Sequence, residues 1–447
     1  MRAETDEQRL DRLLSADPES AGQQLQEMPP QPLLRILRRL GRDHRAEAFG
    51  VLGDDRALRM LVGLDAADQA DVIVDLPTQR TVQLFQRLDP DDRARVLDHL
   101  PAAVGELLLD GLTERDRAVT LRLAAYPVWS AGRSMSPELA SVRDSQQVGD
   151  ALDHVREHGE GAETVYMLPV LGDHDQLVGV VSLRRLLFAE PAAPVRTVMS
   201  AHPVTVSVEQ DAEEAARLVR AAGLIAAPVV DSDGHVVGVL TVDDAMRILA
   251  EAEAEDVARA GGSTPLRRSY RATSVMDLVR ARIGWLLVLI LAATLTVNVL
   301  DYFEATLAQA VTLALFVPLL IGTGGNAGAQ SATTVVRAMA VGDVQHHDVP
   351  RVVAREVSAG AALGLMLAAV AVVPTTLFAG PGIAAVVCVS LVVICILATL
   401  VGSLTPLAAR RIGVDPAVVS APLISTLVDA SGLIIYFLVA RVVLGLP

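Results

Sequence analysis

Long uncharged segments near the C-terminus are the feature that most constrains this 447-residue chain. Eighteen uncharged residues follow Arg282, 32 follow Glu304, and 53 begin at Val357. A helix that crosses a hydrocarbon core needs about 20 apolar residues, so the longest segment holds two helices divided at the turn-like sequence AGPG. A final segment, 416–440, contains one charge, Asp429. The sequence therefore predicts an all-α membrane region of five helices, over 283–302, 306–336, 355–379, 382–408 and 416–441.

Arginines at the ends of these helices indicate their orientation. An odd number of helices puts the two termini on opposite sides of the bilayer, and short Arg-rich loops stay in the cytoplasm. Arginines precede the first helix and follow the second and the fourth, whereas the opposite connections carry only Asp301, Glu304 and the AGPG turn. The sequence thus predicts a multi-pass membrane protein whose N-terminus is cytoplasmic and whose C-terminus is extracytoplasmic.

Charge divides the chain near residue 265. Residues 265–447 have 11 Arg against 8 acidic residues, and residues 1–264 have 27 Arg against 45 acidic residues, which together give the formal charge of −15. This acidic front half excludes a nucleic-acid binder that relies on a basic surface. The two cysteines, Cys388 and Cys395, lie in an apolar segment, which excludes a disulfide framework and a thiolate metal site.

Asp429 lies about midway along the fifth predicted helix, in LISTLVDASGLIIYFLVA. A carboxylate at that depth costs several kcal/mol unless it faces water, an ion or a partner. Either a neutral carboxyl hydrogen-bonds inside the helix bundle, or a carboxylate binds a cation. One Asp per chain is a weak site for a divalent ion, whereas two copies on a twofold axis supply two charges. Asp429 therefore predicts a homodimeric cation pore.

The second helix contains PLLIGTGGNAGAQSATTVVRA, residues 318–338, which combines small and polar side chains. Small residues alone indicate close helix packing, and the glycines fit neither the dinucleotide-binding nor the phosphate-loop spacing. The amides and hydroxyls add neutral oxygens, which suit a hard cation that keeps part of its water shell, as Mg²⁺ tends to. The candidate pore-lining residues are Asn326, Gln330, Ser331, Thr334 and, on the fifth helix, Thr426.

The segment PLLIGTGGNAGAQSATTVVRAMAVGDV, followed by a fifth helix with STLVDASGLIIYF, resembles the MgtE family of magnesium channels. In that family the aspartate of the fifth helix is the ion-binding carboxylate of the pore, and the resemblance carries this role over to Asp429. It implies a homodimeric, Mg²⁺-selective channel or transporter that takes up Mg²⁺ across the bacterial plasma (inner) membrane. It implies no enzymatic activity, and no nucleophile–base pair or catalytic metal motif is evident in the sequence.

Residues 131–252 contain a duplicated unit. LPV at 168–170 matches APV at 227–229, and GVVS at 179–182 matches GVLT at 238–241, both at an offset of 59. Each copy reads as strand, polar turn, strand and helix. The pair resembles a tandem CBS module, which implies an α/β fold and a regulatory role.

The run G-h-x-T-x-x-D of a CBS unit holds nucleotide ribose and phosphate. The second copy keeps this run, with candidate residues Thr241, Asp243 and Asp244, whereas the first copy has Ser182 and, in place of the aspartate, Arg185. The second copy is thus the candidate site for ATP or another adenine nucleotide. The alternative is that Thr241 only caps the helix that follows it.

Residues 1–130 are predicted to be α-helical. The dipeptides Met28-Pro29, Leu76-Pro77 and Leu100-Pro101 fall 48 and 24 residues apart, which indicates a quasi-repeat of 24 residues with two short helices per unit. This segment resembles the α-superhelical N domain of the family.

Residues 253–282 connect the CBS pair to the membrane helices. A helix is predicted to begin near Ser263-Thr264-Pro265, with an N-cap and with Pro at its first position. In the family this connection holds the plug helix that transmits domain motion to the pore, although its arginines are equally explained as membrane-surface anchors. The predicted domains are therefore 1–130, 131–252, 253–282 and 283–447.

Acidic residues cluster in the cytoplasmic half. The usual interpretation is a solvated surface, but apposed acidic faces repel each other unless a divalent cation lies between them. In the family, cytosolic Mg²⁺ between the N and CBS domains closes the pore. Asp415 is equally the N-cap of the fifth helix, because Pro416 follows it. The candidate ligands for regulatory Mg²⁺ are Asp91, Asp92, Asp211, Glu213, Asp244, Glu251, Glu255, Asp256 and Asp415.

Two arginines depart from the family pattern. Arg95 and Arg247 stand at positions that are commonly acidic in the family, so we expect fewer bound ions or closure at higher Mg²⁺. Two other functions stay open at this point. One is a secondary divalent-cation transporter coupled to H⁺ or Na⁺, and the other is a membrane-anchored CBS nucleotide sensor.

Overall fold

The computed structural model describes residues 18–266, 270, 273–340, 343–415 and 421–446. The chain forms two compact units. Unit 1 comprises Met1–Ala252 with Leu266–Ser274, and unit 2 comprises Glu253–Pro265 with Val275–Pro447. The multidomain organisation expected from the sequence is confirmed as a helical N domain, the α/β region that resembles a CBS pair, and a helical C-terminal region.

Short helices of similar length form the described part of the N domain, and their starting positions are evenly spaced along the chain. Every second helix thus begins one predicted repeat further on, which confirms the quasi-repeat with two helices per unit. Prolines occupy the first position of several helices, where the missing N–H has no partner within the helix anyway. The helices are α1 (Pro18–Glu27), α2 (Pro30–Leu37), α3 (Arg42–Val51), α4 (Asp54–Val62), α5 (Ala66–Asp75), α6 (Thr78–Gln86), α7 (Pro90–Leu97), α8 (Ala102–Asp110) and α9 (Glu114–Ala124).

Polar side chains at the fourth position of several helices tie the repeats together. Gln69 Nε2 donates to the carbonyl oxygens of Leu61 and Leu64 at 2.9 and 3.1 Å, near the end of α4. Arg45 Nε donates in the same way to Leu37 at 3.1 Å. These bonds add side-chain donors to carbonyls at or just after the C-terminal end of a helix, where the backbone donors of the helix interior run out. Each of these helix ends is therefore closed by a side chain from a later helix.

Two small sheets make up the CBS pair. The first has strand order β1-β2-β3-β4 and the second β5-β6-β7. In the first copy β2 pairs antiparallel with β3, with Val170 opposite Gly179, and β6 pairs with β7 in the same register, with Val229 opposite Gly238. The strands are β1 (Val142–Arg143), β2 (Met167–Leu171), β3 (Leu177–Ser182), β4 (Ser200–Ala201), β5 (Val206–Ser207), β6 (Ala226–Val230) and β7 (Val236–Thr241).

The segment that opens each copy pairs with the sheet of the other copy. Ser136 forms a bridge with Val239 of β7, and β4, which opens the second copy, pairs with β3 of the first. The duplicated strand–turn–strand–helix unit is thus confirmed, and the two copies are interlocked. Their helices are α10 (Ala131–Ser134), α11 (Val148–His158), α12 (Leu183–Leu187), α13 (Val195–Val198), α14 (Ala212–Ala221) and α15 (Val242–Ala260).

The helix predicted to begin near Ser263-Thr264-Pro265 is absent from the described part of that segment, and α16 begins instead at Val275. Gly262 has φ +70°, which ends α15 in a left-handed turn. The Ser263 hydroxyl donates to the Ala258 carbonyl oxygen at 3.1 Å. This serine therefore closes the preceding helix rather than starting the next one, and the prediction was wrong.

The C-terminal region contains four helical segments that are long and apolar enough to cross a membrane among the described residues. The longest, α19, has 63 residues and is interrupted at Gly380, where φ is 85° and ψ is 168°. This break falls in the AGPG turn, so α19 consists of two helices and the five-helix prediction agrees with the structure. The helices of this region are α16 (Val275–Tyr302), α17 (Glu304–Gln309), α18 (Val317–Ala340), α19 (Val349–Arg411) and α20 (Ala421–Leu444), of which α17, with six residues, is too short to cross a membrane.

The second span differs from the prediction. The second span, expected as one helix over 306–336, begins as α17, continues as a 3₁₀ turn over Val311–Phe316 and becomes α-helical only at Val317. Pro318 accounts for this, because proline fits the first turn of a helix but not its interior. The proposed N-cap at Asp415 depends on residues 416–420, which lie outside the described residues.

Candidate ion pathway and regulatory site

Asp429 lies on α20 beside the second membrane-spanning helix, α18. A Cβ built on Gly325 of α18 would lie 3.5 Å from Asp429 Oδ1 and would collide with Ser425 Oγ. The absence of a side chain at Gly325 is therefore what lets the two helices approach at the carboxylate. Asp429 Oδ1 is shielded from solvent and has no hydrogen-bond partner among the described residues. An oxygen in this state is available to a cation or to water.

One face of α18 is polar and exposed in the single chain. Asn326, Gln330 and Thr334 recur at every fourth position, and all three are exposed. The Thr334 hydroxyl donates to the Gln330 carbonyl oxygen at 2.8 Å, which leaves its oxygen lone pairs for another partner. Amides in contact with hydrocarbon are unfavourable. This face therefore requires water or a second protein surface.

Thr426, the fifth candidate, is partly buried on α20, one turn before Asp429. Its hydroxyl donates to the Pro422 carbonyl oxygen at 2.9 Å, so the proton is used within the helix. A hydroxyl bonded in this way still presents lone pairs. Thr426 thus remains compatible with an ion pathway.

Ser331 departs from the expectation, because it is only 5% exposed. Its hydroxyl lies 2.7 Å from Glu356 Oε2 and 2.9 Å from the Thr399 carbonyl oxygen. Gly328 and Gly402 bring the two helix backbones together next to it. The structure therefore places Ser331 in the packed interface of α18 with α19. Its role as a pore-lining residue stays a prediction.

Sequence reasoning missed Glu356. It lies near the start of α19, and in the sequence it reads as the last charge before a span. The Thr399 hydroxyl donates to the Glu356 backbone oxygen at 2.9 Å, so both the backbone and the side chain of this residue join the helix junction. A carboxylate directly after Arg355 and directly before 53 uncharged residues was the available signal.

In unit 1, the acidic end of α7 faces the CBS pair. Asp91 is 7% exposed, and its Oδ1 has no hydrogen-bond partner among the described residues. Burial raises the pKa of the Asp91 carboxyl well above its ordinary range, and the charges of Asp244, Asp92 and Glu163 raise it further. The structure thus brings the predicted residues Asp91, Asp92 and Asp244 into one electrostatic cluster.

Sequence reasoning also missed Glu163, which joins this cluster from the first CBS copy. Burial raises the pKa of Glu163 to about 7, and the charges of Asp89 and Asp244 contribute. Burial likewise raises the pKa of Asp89, where the charge of Asp92 adds to the effect. Glu163 stands outside any acidic run in the sequence, so only the fold reveals its role. The cluster combines the N domain with both CBS copies.

Arginines accompany the acids of this cluster. Arg95 forms an ion pair with Asp92 within α7. Arg247 Nη2 lies 2.7 Å from Asp244 Oδ1, and Arg247 Nη1 lies 3.7 Å from Glu251. Although burial by itself lowers the pKa of Arg247, the carboxylates of Asp244, Glu251 and Asp92 raise it above its ordinary value. Arg95 and Arg247, which depart from the family pattern, therefore act as counter-ions to Asp92 and Asp244.

Asp211 and Glu213 have local roles. Asp211 is the N-cap of α14, and its Oδ1 accepts from the backbone N–H groups of Glu213 and Glu214 at 2.9 and 3.2 Å. Glu213 forms an ion pair with Arg217 in the next turn. Both carboxylates thus have partners within their own helix, and the case for regulatory ligands rests on the other acids.

In unit 2, two predicted ligands meet on an arginine. Arg259 of α15 forms ion pairs with Glu255, one turn earlier, and with Asp415. The two carboxylates converge as expected for a cation site, but the cation between them is a side chain. Asp256 lies beside Glu255 on the same helix and also has a partner in the structure.

In the second CBS copy, the side chains of the nucleotide motif bond to each other and to Arg247. Thr241 is 5% exposed and its hydroxyl donates to Asp244 Oδ2 at 2.8 Å, while Asp244 pairs with Arg247. Asp243 is the next residue before Asp244 and starts the same helix. The bond joins two side chains and is not a cap bond to a backbone N–H, so it selects neither interpretation of Thr241. The nucleotide site at Thr241, Asp243 and Asp244 stays a prediction.

An open groove of about 720 Å³ lies at the first CBS copy. Arg185, which replaces the aspartate of the motif, donates to Ser200 Oγ at 3.0 Å. Two arginines and two hydroxyls make the groove suitable for an anionic group. The lining residues are Met167, Val180, Ser182, Arg184, Arg185, Phe188, Ala189, Val198 and Ser200.

Comparisons with known proteins cover nearly the whole chain. Family models match as a divalent cation transporter over residues 317–439, the MgtE intracellular N domain over 28–128, and CBS domains over 131–191 and 195–251. The magnesium transporter MgtE of Thermus thermophilus is 38% identical over 435 residues, which is 97% of each chain. The magnesium transporter MgtE of Bacillus subtilis is 32% identical over 325 residues, 72% of this chain and 71% of its own.

Among solved structures, the cytosolic domain of the Mg²⁺ channel MgtE in complex with ATP is similar to this chain. The TM-score is 0.50 and the identity 34%, over 54% of this chain and 98% of the other. The order of the matched domains equals the order found in the fold, from the helical N domain through the CBS pair to the membrane helices. The chain therefore belongs to the MgtE family of magnesium transporters.

Proposed function

We propose that this protein is a homodimeric channel for Mg²⁺ uptake across the bacterial plasma membrane, with the Asp429 carboxylates of two copies in the ion pathway. The relatives that carry the name magnesium transporter support the cargo. The observation that carries the pathway is the exposed polar face of α18 next to Asp429 Oδ1, which has no hydrogen-bond partner in the part of the chain that the structure describes. A second copy that covers this face encloses amides and carboxylates in a water-filled passage, which removes their contact with lipid.

Mg²⁺ entry into proteoliposomes tests this proposal. Asp429→Asn keeps the size of the side chain and removes its charge, so we expect Mg²⁺ entry to fall to the level of empty vesicles. Asp301→Asn is the matched control, since it removes one exposed carboxylate at the end of α16. Full Mg²⁺ entry through Asp429→Asn would exclude this residue from the pathway.

Two further measurements separate the alternatives. Current steps from single molecules in a planar bilayer, independent of an imposed H⁺ or Na⁺ gradient, are expected of a channel and not of a coupled transporter. The mass of the detergent-solubilised protein, corrected for bound detergent, should equal two chains. A monomer that still transports Mg²⁺ would refute the twofold pathway.

The acidic cluster between the N domain and the CBS pair supports a role in closure by cytosolic Mg²⁺. Like charges in a partly buried interface repel, and a divalent cation with oxygen ligands offsets this repulsion. Asp91, Asp92 and Asp244 are the proposed ligands in unit 1. In unit 2 Glu255 and Asp415 are engaged by Arg259, so an ion there has to compete with an arginine.

This regulatory proposal is tested with Mg²⁺ on the cytoplasmic side only. Asp91→Asn combined with Asp244→Asn should shift closure to higher Mg²⁺ concentration and reduce its steepness, while the current through the open pore stays the same. The control pair Asp153→Asn with Glu160→Gln neutralises two exposed acids of the first CBS copy. Unchanged Mg²⁺ sensitivity of the first pair would place the sensor elsewhere.

A nucleotide site at the CBS pair is a second, separate proposal. The similar cytosolic domain was solved with ATP, and here the groove lined by Arg184 and Arg185 fits the phosphates of an adenine nucleotide. Calorimetric titration of the full-length protein with ATP should show binding that Arg185→Ala weakens about tenfold or more, consistent with the loss of a charged contact. Equal affinity in the variant would move the nucleotide away from this groove.

A further inference from the structure

The CBS side of unit 1 reaches into the N domain through one buried arginine. Arg133 lies on α10, directly after the connection that follows α9. The backbone of α10 is fixed to the second CBS copy, because Ala131 N–H donates to the Gln210 carbonyl oxygen at 2.8 Å and Gly132 N–H to that of Val208 at 3.0 Å. Arg133 therefore moves with the CBS pair.

The guanidinium group of Arg133 makes its contacts with the N domain. Nη1 donates to the Leu123 carbonyl oxygen at 3.1 Å on α9, and Nη2 donates to that of Ala94 at 3.1 Å on α7. Nη2 also forms an ion pair with Asp98, the C-cap residue of α7. The Arg133 side chain is 6% exposed. A cation at this end of a helix also complements the negative end of the helix dipole.

The same helix carries opposite forces at its two ends. At its start, Asp91 lies near the negative charges of Glu163 and Asp244, which push the N domain away from the CBS pair. At its end, Ala94 and Asp98 accept from Arg133, which holds the two domains together. The contact at the C-terminal end contains no metal ligand proposed above, so it acts whether or not Mg²⁺ is bound.

We propose that Arg133 is a metal-independent clamp between the N domain and the CBS pair, and that its strength sets the Mg²⁺ concentration at which the two domains close. This inference rests on the proposed regulation by cytosolic Mg²⁺. Arg133 is a positioning residue, since it acts on the sensor through α7 and touches none of the proposed ligands. With the clamp weakened, more Mg²⁺ is needed to offset the same repulsion.

Hydrogen exchange followed by mass spectrometry on the full-length protein in detergent provides the test. The readout is the exchange of α7 amides, measured in chelator and across a Mg²⁺ titration. For Arg133→Gln we expect α7 to exchange about tenfold faster in chelator, and the Mg²⁺ midpoint to rise about tenfold, because hydrogen bonds to a charged group are lost. At saturating Mg²⁺ the protection should return to that of the wild type.

Matched variants separate the clamp from general damage. Arg217→Gln removes a half-exposed arginine paired with Glu213 on α14, and it should leave α7 unchanged. Asp98→Asn removes only the N-domain carboxylate, and it should shift the midpoint in the same direction as Arg133→Gln but by less. If Arg133→Gln also exposes the strands β6 and β7, the variant has disturbed the CBS fold and Asp98→Asn decides the outcome.

The result distinguishes failure of the clamp from failure of Mg²⁺ sensing. If the protection of α7 amides in the wild type does not change with Mg²⁺, the proposed regulation is refuted. Faster exchange of α7 amides in Asp98→Asn and Arg133→Gln in chelator would still support the clamp. Unchanged α7 exchange in chelator and an unchanged midpoint in both variants would overturn the clamp, even if Mg²⁺ protects the wild type.

Discussion

Removing the charge of Glu163 should stabilise the contact between the N domain and the CBS pair. Burial, with the nearby charges of Asp89 and Asp244, raises the pKa of this carboxyl from 4.5 to about 7. A group with a raised pKa in the folded state binds protons more tightly there than in the unfolded chain. Its contribution is therefore favourable below pH 4.5 and is lost as the pH rises through about 7.

The magnitude follows from the same values. The difference between 4.5 and about 7 corresponds to ~3.4 kcal/mol of unfavourable free energy once Glu163 is ionised. Because the side chain is only half-buried, water screens part of this, and we expect about 1.5 kcal/mol. Glu163→Gln is neutral at every pH, so at pH 8 in chelator it should gain this amount over the wild type. At pH 5 the two proteins should differ little.

Hydrogen exchange of α7 and β2 in the full-length protein measures this difference, after correction for the pH dependence of the intrinsic rate. A change of about 1.5 kcal/mol makes exchange roughly tenfold slower in Glu163→Gln at pH 8. The exposed neighbour Glu160 provides the control, since Glu160→Gln removes a charge from the same segment. Saturating Mg²⁺ should shrink the difference because the ion offsets the same repulsion.

One result would refute the reasoning. If Glu163→Gln exchanges as fast as the wild type at pH 8 in chelator, or faster, the Glu163 carboxylate does not oppose the contact. Equal slowing by Glu160→Gln would instead show a general effect of net charge, which salt would suppress.

Substitutions at three other positions test the packing within each unit. A Cβ at Gly402 would overlap the carbonyl oxygen of Gly328, so Gly402→Ala should separate α18 from α19 and lower the thermal stability of the detergent-solubilised protein, whereas Gly284→Ala, where the added atom meets nothing within 4 Å, should not. Asp68 is 0% exposed and lies 2.7 Å from Arg45, so Arg45→Met leaves a buried carboxylate without its charge partner. We expect the free energy of unfolding to fall by about 3–5 kcal/mol, measured as faster exchange of α3 and α5 amides. The double variant Arg45→Met, Asp68→Leu should recover part of this loss. Glu356→Gln keeps an acceptor for Ser331 and should transport Mg²⁺ nearly as the wild type does, whereas Glu356→Ala should lose thermal stability; full stability of Glu356→Ala would show that the Ser331 contact is dispensable.

Local and periodic signals account for what the sequence predicted correctly. The five spans follow from apolar length, and the break within α19 follows from Gly380 and Pro381, which disrupt any helix. The CBS duplication is visible because LPV and GVVS recur as APV and GVLT, and both pairs of strands keep the same register. The N-domain repeat is visible because proline tends to begin helices, and Asp429 stood out because one charge in an apolar segment needs a partner. None of these inferences requires knowledge of which helices are neighbours.

Contacts between distant segments explain what the sequence left undecided. Ser331 looked equivalent to Gln330, but the rotation of α18 against α19 turns Ser331 into the interface with Glu356. Ser263 looked like the start of a helix until its hydroxyl was found to close α15. A hydroxyl serves either helix end equally well, and only the position of the neighbouring backbone selects one.

The acidic side chains show most clearly what the sequence determines and what the fold determines. Sequence alone determined that residues 1–264 are acidic. The free energy of a charge, however, depends on its distance to other charges and on the loss of water around it. Folding places Asp91 of the N domain near Glu163 and Asp244 of the two CBS copies, and it binds Glu255 and Asp415 to Arg259. Residue types determine which side chains can bind an ion. The tertiary structure decides which of these carboxylates are brought beside other carboxylates and which are paired with an arginine.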